Sequence, residues 1–114
     1  MAETKAQESM TVGKAVYNAT MTGTVNLDLS TFASYRGILT GNTTITVSNT
    51  PAVGESFVRT LKLSSTATES LTLPVAWKII GTYSADTTIN NFDIEFANFA
   101  TAGEIVTVFI NPLP

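Results

Sequence analysis

The sequence predicts an all-β protein, with about eight short antiparallel strands in a β-sandwich or jelly-roll-like domain. Three observations carry this. Val25, Leu27 and Leu29 alternate with Asn26, Asp28 and Ser30, and Phe92, Ile94 and Phe96 alternate with Asp93 and Glu95. That is the period of two of a strand with one buried face. Short apolar segments recur at roughly 8–12-residue spacing with turn residues between them, as in sandwiches and jelly rolls. No segment sustains a helical period, and threonine, a β-branched residue at home on a solvated strand face, is abundant.

The 114 residues make one domain, long enough for a single core. Charged residues are 13% of the chain, about half of the ~25% usual in soluble domains, and 44% of residues are hydrophobic. A small domain with so little charge is expected to place apolar surface in subunit contacts, which points to a homo-oligomer. The net charge is −3, and the six cations (Lys5, Lys14, Arg36, Arg59, Lys62, Lys78) are scattered. Only Arg59 and Lys62 lie close together in sequence, so no concentrated basic surface for nucleic acid is expected. No cysteine is present, which removes disulfides and thiolate chemistry. Lys5 is followed by no apolar h-region, and no run approaches the ~20 apolar residues of a membrane span. The expectation is a chain made in the cytoplasm without a signal peptide and without membrane contact.

Residues 1–14 are polar with few anchors. Thr4–Glu8 can make a helical turn, but an isolated turn is unstable in water. This stretch is expected to be a flexible N-terminal arm, and residues 15–114 the β domain. From Ala15 the pattern becomes β, and Val25–Leu29 gives a strong strand signal. Thr31–Ser34 turns the chain. Tyr35–Thr40 and Thr43–Ser48 read as two strands joined by a tight turn at Gly41-Asn42. Pro51–Gly54 breaks the chain, because proline lacks a ladder donor. In Ser56–Leu63, Phe57, Leu61 and Leu63 interleave with Ser56, Arg59, Thr60 and Lys62, and Val58 adds apolar surface on the other face. Ser64–Ser70 is a polar loop. Leu71–Leu73 is a short strand stopped by Pro74, Ala76–Ile80 is the next, and Gly81–Asn91 is a long loop. Phe92–Phe96 and Glu104–Ile110 complete the set, and the two prolines after Asn111 end it. No repeat of 20–50 residues is evident, which argues against a solenoid.

The absence of histidine excludes Ser–His and Cys–His nucleophile arrangements. The glycines at 41, 54, 81 and 103 are isolated, so no phosphate-cradling loop is formed. Asp93 and Glu95 lie two apart on one strand, on the face opposite Phe92, Ile94 and Phe96, with Cα atoms roughly 6.5–7 Å apart. That spacing suits glycosidic acid–base work, or a Ca²⁺ site with oxygens from the Asp86 loop. A chain of 114 residues has little left to wall a cleft, so a solvated strand face is the preferred reading and no enzyme, metal or cofactor is expected. Trp77, the single tryptophan, reads either as a core or interface aromatic or as a sugar-stacking platform with Tyr83, Asn90 and Asn91 at its rim.

The run from Leu39 to Phe57 contains Gly-Asn-Thr-Thr-Ile-Thr, then Asn49, Pro51 and Gly54. Leu71-Thr-Leu-Pro74 with Trp77 follows, and then the Asp-containing strand Phe92–Phe96 and a final apolar strand. This pattern resembles tailed-bacteriophage virion proteins over roughly Leu39–Ile110. The resemblance implies a phage surface component, commonly a trimeric β structure: a capsid decoration (cement) protein, or a tail-fibre or receptor-binding module. A chain of this length without a coiled-coil or β-helix shaft favours decoration. The expected partners are then further copies of the chain and the major capsid protein, on the outer surface of the virion. The expected docking arm comprises Ala2, Glu3, Thr4, Lys5, Gln7, Glu8 and Lys14. In the alternative reading Trp77, Tyr83, Asn90 and Asn91 contact a glycan.

Overall fold

The computed structural model describes residues 14–85, 89–101 and 103–113, and these are all-β with no helix. Among the described residues the strands are β1 (Ala15–Asp28), β2 (Ser34–Ser48), β3 (Ser56–Ser65), β4 (Leu71–Thr72), β5 (Lys78–Ile80), β6 (Asn90–Phe99) and β7 (Gly103–Pro112). They form one sheet in the order β1-β2-β3-β6-β7-β5, with β4 also paired to β2.

The all-β class matches the expectation, but the pairing departs from it. Only β3/β6 and β6/β7 are antiparallel. The β1/β2, β2/β3, β2/β4 and β5/β7 pairs are parallel. The reason lies in the bend of β1. Thirteen residue steps at ~3.3 Å would carry a straight strand about 43 Å. Yet Ser34 pairs with Ala15, and the six steps from Asp28 to Ser34 can reach back only about 21 Å. The strand therefore folds over on itself, and its second half serves as the crossover that a parallel pair requires. The ladder irregularities fall at that bend, between Asn18 and Met21 and between Met21 and Gly23, and Gly23 takes φ 66° there.

The same bend corrects the reading of residues 35–48. Gly41-Asn42 does not reverse the chain. Tyr35–Thr40 and Thr43–Ser48 are two arms of one strand, and the residues between Leu39 and Thr43 bulge where β2 follows the bend of β1. The first arm of β2 pairs with β3 and the second with β4, so the chain makes three successive passes stacked in parallel. The offsets between passes are unequal, since Ala15 pairs with Ser34 and Ser34 with Thr60. No fixed period exists for a repeat search to find.

Stacking puts apolar side chains in register inside the fold. Val16, Tyr35 and Leu61 form one row, and Val25 and Ile45 begin another. Phe92, Ile94 and Phe96 of β6 and Val106, Val108 and Ile110 of β7 close the core from the antiparallel side. At its centre Phe96 meets Trp77 edge-on at 5.7 Å between ring centroids and Phe57 at 5.5 Å. The strand expected over Ala76–Ile80 begins only at Lys78, because Trp77 belongs to a turn in which its N–H donates to the Pro74 carbonyl.

Arg59 lies on the core-facing row of β3 with Phe57 and Leu61, in register with Ile94, rather than on the solvent row. Its Nε donates to the Leu29 carbonyl at 3.1 Å and its guanidinium lies 4.2 Å from the Phe57 ring centroid. Half-burial there lowers its pKa. The cation thereby ties the end of the first pass to β3.

The β1 and β2 ends are locked together by Asp28. Its Oδ1 accepts from the Ser30 N–H, the Ser30 hydroxyl and, at 2.6 Å, the Asn49 amide. Asn49 holds φ 59°, a conformation asparagine tolerates. The Asn49 hydrogen bond, helped by the two from Ser30, holds the Asp28 carboxyl below its ordinary value of 3.8. A depressed carboxylate contributes stability that is present above its unfolded value and lost as pH falls through its folded value. The stability difference between the native chain and Asp28→Ala is thus expected to be constant near neutral pH and to shrink below pH 3.8. Urea melts at a series of acidic pH values measure it.

Candidate functional site

The outer face of the sheet is open, and the register places its residues. One row across five strands reads Tyr17, Arg36, Lys62, Asn91 and Asn111. The next reads Ala15, Ser34, Thr60, Asp93, Phe109 and Ile80. The third reads Val58, Glu95, Thr107 and Lys78. Val58, Ile80, Ile105 and Phe109 on this face are each between 43% and 51% exposed.

Asp93 and Glu95 stand exposed on this face, opposite Phe92, Ile94 and Phe96. They do not share a cleft. Asp93 lines a depression with Thr60, Lys62, Asn91 and Asn111, whereas Glu95 lines another with Gly54, Glu55 and Ser56. Asp86, the suggested third oxygen donor, lies outside the described residues. Among the described residues no group of three or more His, Cys, Asp or Glu is placed to hold a metal ion.

The four residues suggested for a glycan do not converge. Trp77 is 9% exposed, with its ring against Phe96 in the core. Asn90 is fully buried, and its amide clamps the loop after β5. Its Oδ1 accepts from the Ser84 N–H at 2.8 Å, and its Nδ2 donates to the Ser84 carbonyl at 2.9 Å and the Leu63 carbonyl at 3.3 Å. Tyr83 is half-buried beside Phe92, and its hydroxyl donates to the Glu69 carbonyl at 3.3 Å. Burial pushes its phenol pKa up. It lines an apolar groove of about 470 Å³ with Leu71, Leu73 and Ile79. Asn91 alone reaches the outer face. Burial thus removes Trp77 and Asn90 as sugar contacts.

Of the suggested docking arm, Ala2, Glu3, Thr4, Lys5, Gln7 and Glu8 lie outside the described residues. Lys14 is exposed, and its carbonyl accepts from the N–H groups of Ala33 at 2.8 Å and Ser34 at 3.2 Å. It anchors the start of β1.

Sequence reasoning missed the cluster of Tyr17, Arg36 and Lys62. Proximity along the chain paired Lys62 with Arg59, but Arg59 faces inward and Lys62 outward. Parallel register pairs Lys62 with Arg36 instead, which no spacing signal announces.

No family model, curated protein or solved structure matches the chain.

Proposed function

We propose that the protein is a structural component of a bacteriophage virion, a decoration protein that docks as a homotrimer on the outer capsid surface and stabilises it. The supporting observation is the half-exposed apolar set Val58, Ile80, Ile105 and Phe109 on one open sheet face. It belongs to a chain with only 13% charged residues, and such a face suits broad contact with other protein. The phage-like sequence pattern supplies the partner. Binding to an assembled lattice stabilises the lattice by mass action, and a trimer adds avidity without new chemistry.

The test is the mass of the purified protein by light scattering, repeated with undecorated capsids followed by pelleting. The expected result is a particle of three times 12.1 kDa that co-pellets. Phe109→Lys, with its melting temperature measured alongside to separate docking from folding, is expected to lower occupancy about tenfold or more, as loss of a central aromatic contact does. A monomer that stays in the supernatant rejects decoration. Full occupancy after deletion of residues 2–13 rejects the arm but leaves the face.

A second reading is a receptor- or carbohydrate-binding module of the phage tail. Its support is the polar row Tyr17, Arg36, Lys62, Asn91 and Asn111, which lies on the same face, one row along from Phe109 and Ile80.

A further inference from the structure

We infer that the row Tyr17–Arg36–Lys62–Asn91–Asn111 is a binding strip for an acidic saccharide, a chain of sugars carrying sparse carboxylate or sulfate groups. The inference rests on the receptor-binding reading and names its ligand class and residues. Its first ground is the juxtaposition of two like charges. Arg36 and Lys62 are directly opposite each other on parallel strands, and like charges so placed destabilise a sheet. Their neighbours in the row are Tyr17 and Asn91, not carboxylates. The carboxylate nearest in register is Asp93, one pleat along β6 and diagonal to Lys62. In a chain with only six cations and net charge −3, two sit side by side where an anion would relieve them.

The second ground is shape. Lys62 stands between two depressions. One, of about 170 Å³, is lined by Tyr17, Arg36 and Ser64 among others. The second, of about 320 Å³, is lined by Asn91, Asn111, Thr60 and Asp93 among others, so an acid group of the ligand is placed at the Arg36 side of Lys62 and neutral hydroxyls at this one. From Tyr17 to Asn111 the row crosses four strand spacings, roughly 19 Å, enough for an extended ligand of several units.

The third ground is the set of side-chain types. The Arg36 guanidinium offers a planar fork to a carboxylate or sulfate, and Lys62 offers a point charge. The amides of Asn91 and Asn111 can both donate to and accept from sugar hydroxyls. Tyr17, 66% exposed, presents a ring face to the apolar face of a sugar. Two cations cannot neutralise a phosphate on every unit of a nucleic acid. Sparse acid groups on a neutral, hydroxyl-rich chain fit the row.

The test is calorimetric titration of the whole chain, without capsids, against three oligosaccharides of equal length: a uronic-acid series, a sulfated series and a neutral one. Inorganic sulfate serves as the control for charge alone. Binding is expected for at least one acidic series, about tenfold or more tighter than for the neutral series, and the two acidic arms identify the acid group. Arg36→Gln and Lys62→Gln are each expected to weaken it about tenfold, the scale of a charge-assisted contact at a partly screened site. Tyr17→Ala is expected to weaken it several-fold. Asn111→Asp, which leaves both cations in place and adds a repelling carboxylate at the end of the row, is expected to weaken the acidic series alone. All four positions are exposed, so each variant is read at unchanged melting temperature.

Acidic binding that survives Arg36→Gln and Lys62→Gln overturns the strip while leaving the receptor-binding reading intact. Binding that inorganic sulfate abolishes at equal charge and that Tyr17→Ala does not change overturns the saccharide class. The absence of binding to any of the three series overturns both the strip and the receptor-binding reading, and leaves capsid docking untouched.

Discussion

Phe96→Ala is expected to destabilise the domain by about 4 kcal/mol, within the 3–5 kcal/mol typical of deleting a fully buried phenylalanine. The side chain has no exposed surface and lies where the antiparallel half of the sheet meets the loop before β5. Its ring contacts Trp77 edge-on and Phe57 at a tilt of 42°. Truncation therefore removes both the transfer free energy of the ring and the aromatic contacts, and leaves a cavity that the surrounding sheet can close only in part. For a domain of this size about 4 °C is lost per kcal/mol, so the melting temperature should fall by roughly 15 °C. Indole fluorescence should shift at the same time, because Trp77 loses its packing partner. Phe99→Ala supplies the contrast. Phe99 ends the same strand but is 54% exposed, and its loss should change stability by no more than about 0.5 kcal/mol. Equal effects of the two substitutions, by calorimetry or urea titration, would falsify the placement of Phe96 at the core.

Gly81→Ala is expected to cost about 3 kcal/mol or more, an unusual loss for adding one methyl group to an exposed residue. Two physical terms combine. Gly81 holds φ +101°, where a residue with a Cβ is strained by about 1–2 kcal/mol. A Cβ added there would also meet the Ile110 carbonyl oxygen, a backbone atom of β7 that cannot rotate away. Gly54→Ala separates the terms. Gly54 also takes positive φ, +84°, but nothing lies within 4 Å of the position a Cβ would take. It should cost only the strain, about 1–2 kcal/mol. The difference between the two variants in a urea titration measures the clash. Near-equal values would mean that the loop after β5 is free to lift off β7. The consequence would extend to function, because this close approach holds the end of β5, with the half-exposed Ile80, in register with Phe109 on the face proposed to dock.

Much of the architecture was legible in local sequence. The alternation over Phe92–Phe96 correctly separated a buried face from one carrying Asp93 and Glu95, because side-chain direction in a strand follows directly from residue parity. Parity also places Arg59 with Phe57 and Leu61. Reading the residue by its charge put it in solvent, but the Leu29 carbonyl and the Phe57 ring give the guanidinium partners at the core edge. Gly41-Asn42 misled for a related reason. The dipeptide permits a turn, but it also permits close packing and a bulge. A Cβ at Gly41 would collide with the Thr22 side chain on β1, so here glycine serves approach and not reversal. The candidate site was less legible. Trp77 and Asn90 resemble ligand contacts in composition, and only packing shows that one fills the core and the other clamps Ser84.

The chain by itself determined the β class, the low charge, the absence of histidine and cysteine chemistry, and which residues of each strand share a face. These follow from composition and from the two-residue period of an extended backbone, both local properties. Tertiary structure alone decided that β1, β2 and β3 run parallel, that β1 and β2 bend, and that Tyr17, Arg36 and Lys62 stand side by side. Strand pairing is a choice among distant segments with similar alternation. It is settled by which arrangement buries Met21, Leu39, Leu63 and Phe92 together, and no window of sequence contains that sum.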